Sequence, residues 1–184
     1  MLQIKIPANE FFDEQKNLFI NTKEITLTLE HSLISISKWE QKFHKPFIKT
    51  VTTQGAITDE EWKYYIQCMT ITQNVDPMVY EGIGLDLTTQ ILEYIDDPMT
   101  ATTFNDHGRK PGKQQIVTSE LIYYWMISFG IPFECEKWHL NRLLTLIKTC
   151  DVKSSPRKKK SRNETIQEYA ALNKARRAAA HSKG

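Results

Sequence analysis

The sequence predicts an α+β protein: a small N-terminal antiparallel β unit, a mainly helical domain after it, and a basic C-terminal helical arm. Apolar residues alternate with polar ones near the start of the chain, which is the period of a half-buried strand. They then recur every three or four residues, which is the period of an amphipathic helix. We therefore expect a body at 1–150, β-rich in 1–30 and helical in 31–150, followed by an arm at 151–184.

The β unit is predicted from four short segments. Apolar and polar residues alternate over residues 2–6 and again over residues 25–29. Between them, residues 10–12 and 18–20 flank the polar stretch DEQKN, a pattern typical of a hairpin with a five-residue loop. A lone hairpin is marginal in water, so the apolar face of this unit needs a partner.

The first helix of the body is expected at 33–43, with Ser32 as its N-cap and Pro46 beyond its end. The alternation of isoleucine and serine at 34–37 leaves a continued strand as the alternative. Residues 47–57 are predicted as a loop or an edge strand.

Further helix starts are marked by side chains that cap backbone amides. Thr58 and Glu61 form a capping box, in which hydroxyl and carboxylate each accept a hydrogen bond from a free amide. A shorter helix is expected at 85–95. Residues 102–104 and 115–117 suit a hairpin around a tip rich in glycine, proline and charge.

We expect the body to pack around the stretch from Ser119 to Cys150. Residues 121–129 carry no charge, and a helix that is apolar on every side is expected to be buried. Gly130 and Pro132 end that helix. The next one places three leucines and an isoleucine on a single face: Leu140, Leu143, Leu144 and Ile147.

The arm combines a basic linker with a helix that has little to bury. Residues 1–150 hold 14 Lys and Arg against 19 Asp and Glu, a net charge of −5, whereas residues 151–184 hold 10 against 3, a net of +7. An isolated helix of this kind is marginal, so we expect it to become ordered against a partner. The candidate partner-binding residues are Arg157, Lys158, Lys159, Lys160, Arg162, Ile166, Tyr169, Leu172, Arg176 and Arg177.

Three roles remain open for the basic residues of the arm. They suit the phosphates of a nucleic acid and equally an acidic protein surface. A solvated linker with no binding role is the third interpretation.

No pattern in the chain indicates catalysis. Cys135 and His139 lie four residues apart, but a structural zinc site needs four ligands in recognisable pairs. The glycine- and lysine-rich stretch at 105–114 departs from the phosphate-binding loop at two of its positions. We predict no catalytic, cofactor-binding or metal site, and no enzyme activity.

The chain is also expected to have no membrane association. Its first twelve residues lack the features of a signal peptide, and no apolar stretch approaches the ~20 residues that span a bilayer. The three widely spaced cysteines suggest a reducing compartment.

Several blocks resemble a family of small proteins of tailed-bacteriophage morphogenesis, described as tail assembly chaperones or virion structural proteins. The specific blocks are LEHSLISISKWE at 29–40 with KPF at 45–47, and WHLNRLL at 138–144. Other matching blocks are MTITQNVDP at 69–77, YYWM at 123–126 and IPFEC at 131–135, whereas the match LNKARRA at 172–178 is not specific.

The resemblance implies a non-enzymatic role in building a phage particle through protein–protein interaction. The implied partners are other morphogenesis or virion proteins, such as the tape measure, the tail tube or a connector. Self-association into a homo-oligomer and nucleic acid binding by the arm remain open. The implied location is the host cytoplasm during assembly, for a chaperone, or the virion, for a structural subunit of the head or tail.

Overall fold

The structure, a computed structural model, describes residues 1–13, 18–53, 57–104, 115–154 and 162–180. It confirms the predicted α+β class, because antiparallel strands near the N-terminus are followed by helices. The contacts within the chain divide it into two units, Met1–Asp151 and Val152–Gly184.

The four strands form two antiparallel pairs. Strand β1 (Leu2–Ile6) is antiparallel to β4 (Ile25–Leu29), and β2 (Asn9–Asp13) is antiparallel to β3 (Leu18–Thr22). The inward face of the first pair is buried to 1% exposure or less: Ile4, Ile6, Leu27 and Leu29. The predicted hairpin is confirmed as a strand pair, although Asp13 belongs to a strand and not to the loop. The remaining loop residues, 14–17, lie outside the described residues.

The helices of the body follow in chain order. They are α1 (Leu33–Phe43), α2 (Phe47–Thr52), α3 (Asp59–Met69), α4 (Leu85–Asp96), α5 (Ser119–Ser128) and α6 (Leu140–Ser154). Short 3-10 helices lie at Pro77–Gly82 and Phe133–Lys137. The α1 helix and its cap are confirmed over the strand alternative, because the Ser35 amide donates to Ser32 Oγ at 3.3 Å. The capping box of α3 is also present, with both of its hydrogen bonds formed.

Three local predictions are wrong. Residues 47–52 are helical, because a distant side chain satisfies the first amide of α2, as described below. Residues 102–104 and 115–117 are not strands; most of them are exposed, so a hairpin there has no apolar face to bury. Its predicted tip, 105–114, lies outside the described residues. Helix α6 runs to Ser154, four residues beyond the predicted end.

The expectation that α5 is buried on every side is also wrong. Ile122 and Met126 are fully buried, but Tyr124 is 63% exposed and Ile127 is 65% exposed. A lack of charge makes burial of a helix inexpensive, but burial also needs neighbours on every side. The body packs against one side of α5 only, so the helix lies at the periphery.

The centre of the body is α1 instead. This helix contacts α2, α3, α5 and the 3-10 helix Phe133–Lys137. Its Trp39 is completely buried, and the indole N–H donates to the Glu61 carbonyl oxygen at 2.9 Å. The Trp39 ring also meets Phe43 and Phe47 at centroid distances of 5.1 Å.

A single buried carboxylate, that of Glu40 in α1, joins two helix starts. Glu40 Oε1 accepts from the Phe47 amide of α2, and Oε2 accepts from the Ser119 amide of α5, both at 2.8 Å. The first amides of a helix have no partner within the helix, and the positive end of the helix dipole favours an anion. The Glu40 side chain therefore caps α2 and α5 from a third helix.

We expect Glu40→Ala to lower the free energy of unfolding by about 2–5 kcal/mol, because two buried amides lose their acceptor. Glu40→Gln keeps one acceptor oxygen, so its free energy of unfolding is expected to fall by less than that of Glu40→Ala. Urea denaturation followed by circular dichroism measures both. As a control, Glu93→Ala removes an exposed carboxylate from α4 and is expected to change stability by less than about 0.5 kcal/mol. Equal stability losses in the Ala variants at 40 and 93 contradict the capping role.

Candidate partner-binding site

The predicted partner-binding residues fall on α7 (Arg162–Ala179), an 18-residue helix of the C-terminal unit. Its larger apolar side chains are exposed to solvent: Ile166 by 57%, Tyr169 by 65% and Leu172 by 44%. A spacing of three residues places them along one side of the helix, on successive turns. We call these three side chains the α7 stripe.

The basic residues at the end of α7 lie close to this stripe. Arg176 is one turn beyond Leu172 and two turns beyond Tyr169, which places it on the same side of the helix. Arg177 follows at once, and both arginines are exposed. Cations in the last turn also stabilise a helix through its dipole. The α7 surface therefore combines apolar and positive groups.

The structure does not describe all of the predicted partner-binding residues. Arg157, Lys158, Lys159 and Lys160 lie outside the described residues, and only the backbone of Arg162 is described. What the structure groups on one helix is the α7 stripe with Arg176 and Arg177.

A buried polar cluster in the body was not predicted from the sequence. His31, directly before α1, is 3% exposed, and its Nδ1 lies 2.5 Å from the Tyr65 hydroxyl of α3. The rings of His31 and His139 are 5.1 Å apart. His139 Nε2 donates to the Tyr94 carbonyl oxygen at 2.9 Å, and the Tyr94 hydroxyl donates to Glu30 Oε1 at 2.7 Å. We call these five residues the histidine cluster.

The environment keeps the imidazoles and phenols of this cluster uncharged at neutral pH. Burial, and to a lesser extent the charge of His139, lower the pKa of His31 to about 3. Burial also lowers the pKa of His139 and raises that of Tyr65 well above its ordinary value. For Tyr94, burial and the hydrogen bond to Glu30 raise the pKa. A general acid or base works best with a pKa near the operating pH, so the cluster suits structural hydrogen bonding better than proton transfer.

Cys135 and His139, whose spacing of four residues raised the possibility of a zinc site, do not lie on the same helix. Cys135 lies in a 3-10 helix and His139 lies before the start of α6, so they do not share a helix face. In the part of the chain that the structure describes, no group of three or more His, Cys, Asp or Glu side chains is placed to hold a metal ion. Burial raises the pKa of the Cys68 thiol to about 11, which makes this thiol a poor nucleophile.

Comparisons with protein-family models, with curated proteins and with solved structures found no match. Over the described ranges, none of the helices has the length and apolarity needed to cross a bilayer.

The histidine cluster predicts a specific pH dependence of stability. The unfolded chain protonates His31 near pH 6.5, whereas the folded protein does so only near pH 3. Between these values the unfolded state binds more protons, so the free energy of unfolding falls as the pH falls, by up to about 1.4 kcal/mol per pH unit from this residue.

Urea denaturation between about pH 6 and pH 4 tests this linkage. His31→Asn keeps a partner for the Tyr65 hydroxyl and cannot titrate, so we expect a shallower pH dependence than in the wild type. The matched control, His44→Asn, changes an exposed residue in the left-handed region, which asparagine tolerates. Equal slopes of unfolding free energy against pH in His31→Asn and His44→Asn would contradict this role of His31.

Proposed function

We propose that the protein is a non-enzymatic tailed-phage morphogenesis protein that acts through protein–protein contacts, with α7 as its partner-binding helix. The observation that carries the proposal is the exposure of the α7 stripe beside Arg176 and Arg177. The phage context is supported by the resemblance of the blocks at 29–47 and 138–144.

The α7 stripe has the form of a helix that binds in a groove. Amphipathic helices of this type place apolar anchors at intervals of three or four residues into an apolar groove of the partner. Fully burying an aliphatic or aromatic side chain stabilises a complex by about 1.5–3 kcal/mol relative to leaving it exposed. Covering the α7 stripe with a partner therefore stabilises the complex.

The positive charge of α7 restricts the kind of partner. Arg176 lies on the side of Tyr169 and Leu172, so a groove that receives the stripe brings its rim close to a guanidinium group. An acidic rim is favoured because opposite charges across an interface speed association and exclude wrong partners. Among the proteins of a phage particle, the tape measure, the tail tube and a connector are the proposed partners.

The apolar content of α7 favours a protein over a nucleic acid. Binding to phosphates depends on lysine and arginine and weakens steeply with salt. Such binding makes no use of an exposed isoleucine, tyrosine and leucine on successive turns. We therefore propose that the basic arm binds a protein surface. Nucleic acid binding is the alternative that the experiments below distinguish.

The proposal covers two roles in particle assembly. A tail assembly chaperone acts in the host cytoplasm and leaves before the virion is complete. A head or tail structural subunit remains in the virion. In both roles a stable body carries a helix that becomes covered when the partner binds.

Substitutions on α7 test the partner-binding role. The protein is co-expressed with each of the other morphogenesis proteins of the same phage, and affinity is measured for the pair that co-purifies. We expect Tyr169→Asp to weaken that pair about 10-fold or more, because a buried tyrosine is a frequent hot spot. Gln167→Ala, a control on an exposed α7 residue away from the stripe, is expected to leave affinity unchanged.

Replacing Arg176 and Arg177 by glutamine is expected to lower the affinity for the co-purified partner by less than Tyr169→Asp does. It is also expected to reduce the salt dependence of that affinity. A double-stranded DNA probe is titrated in parallel between about 50 and 200 mM salt. Binding that is insensitive to Tyr169→Asp contradicts the role of the α7 stripe. Tight, salt-sensitive DNA binding by both the wild type and Tyr169→Asp identifies the nucleic acid alternative.

Mass spectrometry of purified virions and of tail-assembly intermediates tests the place in assembly. We expect the protein in at least one of these samples. A fixed copy number in the virion identifies a subunit, and presence only in intermediates identifies a chaperone. Normal yields of complete particles after deletion of the coding sequence overturn the proposal.

A further inference from the structure

We infer that the exposed side of α4 is a docking surface for a basic amphipathic helix of another protein. This α4 face consists of Leu85, Leu92 and the carboxylates of Asp86, Glu93 and Asp96, all of which are exposed. Leu85 is exposed by 85% and Leu92 by 42%. The α4 face belongs entirely to the body and contains no residue of α7, so the inference does not depend on the proposed partner of the arm.

The residues of the α4 face lie along one side of the helix. Leu85, Leu92 and Asp96 fall at positions i, i+7 and i+11, which form one row. Asp86 and Glu93, also seven residues apart, form the neighbouring row. The opposite side of α4 is buried in the body: Ile91, Tyr94 and Ile95. Because packed helices meet at intervals of seven residues, a partner helix laid along α4 contacts both leucines and the carboxylates beside them.

Two grooves flank Leu85. The first has a volume of about 380 Å³ and is bordered by Trp62 and Ile66 of α3. The second has a volume of about 560 Å³ and is bordered by Pro7 and Leu87. Leu85 contributes to both grooves. Amphipathic helices bind by placing apolar side chains into such depressions, so the α4 face offers a partner helix recesses on both sides of an exposed leucine.

The charge of the α4 face is negative throughout and determines the charge of its partner. Residues 64–104 hold six Asp and Glu and no Lys or Arg. In the described part of the chain, the carboxylates of the α4 face form no ion pair. Complementary charges across an interface speed association, and like charges repel. The partner helix therefore carries lysine or arginine beside its apolar residues, whereas a nucleic acid or an anionic lipid surface is repelled.

The lysines that border the grooves do not reverse this charge. Lys63 lies at the first groove, and its Nζ is 2.6 Å from Glu81 Oε2. Lys5 lies at the second groove, and its Nζ is 2.8 Å from Glu24 Oε1. Because a carboxylate outside the α4 face compensates each ammonium group, the carboxylates of the α4 face remain available to a partner.

A different protein matches the α4 face better than the α7 helix of a second copy does. The α7 stripe lies within residues 163–172, a stretch with two glutamates and no lysine or arginine. Along α4, these glutamates would meet the carboxylates of the α4 face, and like charges repel. The matching helix has lysine or arginine distributed along its apolar side, and we assign it to another protein.

Amide NMR of the full chain, titrated with synthetic helical peptides, tests the inference. The lysine peptide is about 14 residues long, or roughly four helical turns, with leucine at every third or fourth position and lysine at the others. The control peptide has glutamate in place of each lysine. We expect the lysine peptide to shift the amide signals of α4 in a saturable manner, and the glutamate peptide to leave them unchanged.

Substitutions on the α4 face locate the binding. We expect Glu93→Lys to weaken binding of the lysine peptide about 10-fold, because it places like charges across the contact. Leu85→Ser removes an apolar anchor and is expected to weaken binding about 5-fold or more. Both residues are exposed, so the variants keep their fold, which circular dichroism checks. The matched control, Glu134→Lys, makes the same charge change at an exposed residue of the 3-10 helix Phe133–Lys137 and is expected to leave affinity unchanged.

Three results overturn the inference. The lysine peptide leaves the α4 amides unshifted at concentrations up to about 1 mM, a very weak affinity. Alternatively, Glu134→Lys weakens binding as much as Glu93→Lys does, which reduces the effect to the overall charge of the protein. A peptide with the sequence of residues 162–180 that binds the α4 face more tightly than the lysine peptide identifies a second copy as the occupant. The first two results leave partner binding by α7 untouched, so the two proposals fail separately.

Discussion

Two residues between the β unit and α1 hold the body together through their backbone. The Glu30 amide donates to the Met69 carbonyl oxygen at the end of α3 at 2.9 Å, and the His31 carbonyl oxygen accepts from the Leu140 amide at the start of α6 at 2.7 Å. Both residues are buried, so these hydrogen bonds are shielded from water. The strands, α3 and α6 consequently meet at one point, and the histidine cluster fills the space around it. These bonds help to fix α3 and α6 relative to the β unit.

The order of the helices around α1 follows from this arrangement. Ser32 caps the start of α1, and Glu40 lies in the last turn of this helix, where its carboxylate caps both α2 and α5. The position of α5 is therefore set by one side chain of α1 and by burial of Ile122 and Met126. The other side of α5 is left for solvent or for a partner.

Local patterns predicted the fold well where the stabilising interactions are themselves local. The alternation in β1 and β4, the Ser32 cap and the capping box of α3 each involve residues close in sequence, and each prediction is confirmed. The start of α2 was missed because its first amide is satisfied by the side chain of Glu40 and not by a nearby cap. The bond from Glu40 to Ser119 joins residues 79 positions apart, and no periodicity in the chain signals such a pairing.

The exposed residues of α7 were easier to predict from the sequence than the exposed residues of α5. The thin apolar stripe and the arginines of α7 are visible in the sequence, since a helix with few apolar residues has little with which to bury them. The exposure of Tyr124 and Ile127 was not predictable, because an uncharged helix has no polar side to mark which face points outward. The pairing of His31 with His139 was hidden for a related reason: each histidine adjoins a different helix, far apart in the sequence.

Hydrogen–deuterium exchange of the full chain, free and with its co-purified partner, tests most directly the view of a rigid body that presents an exposed binding helix. We predict that the amides of Glu30 and Leu140 exchange only by global unfolding, because both are buried and hydrogen-bonded. We predict fast exchange in α7 of the free protein and strong protection of α7 when the partner binds. Fast exchange at Glu30 and Leu140, or partner-induced protection centred on the histidine cluster while α7 stays unprotected, would contradict this account.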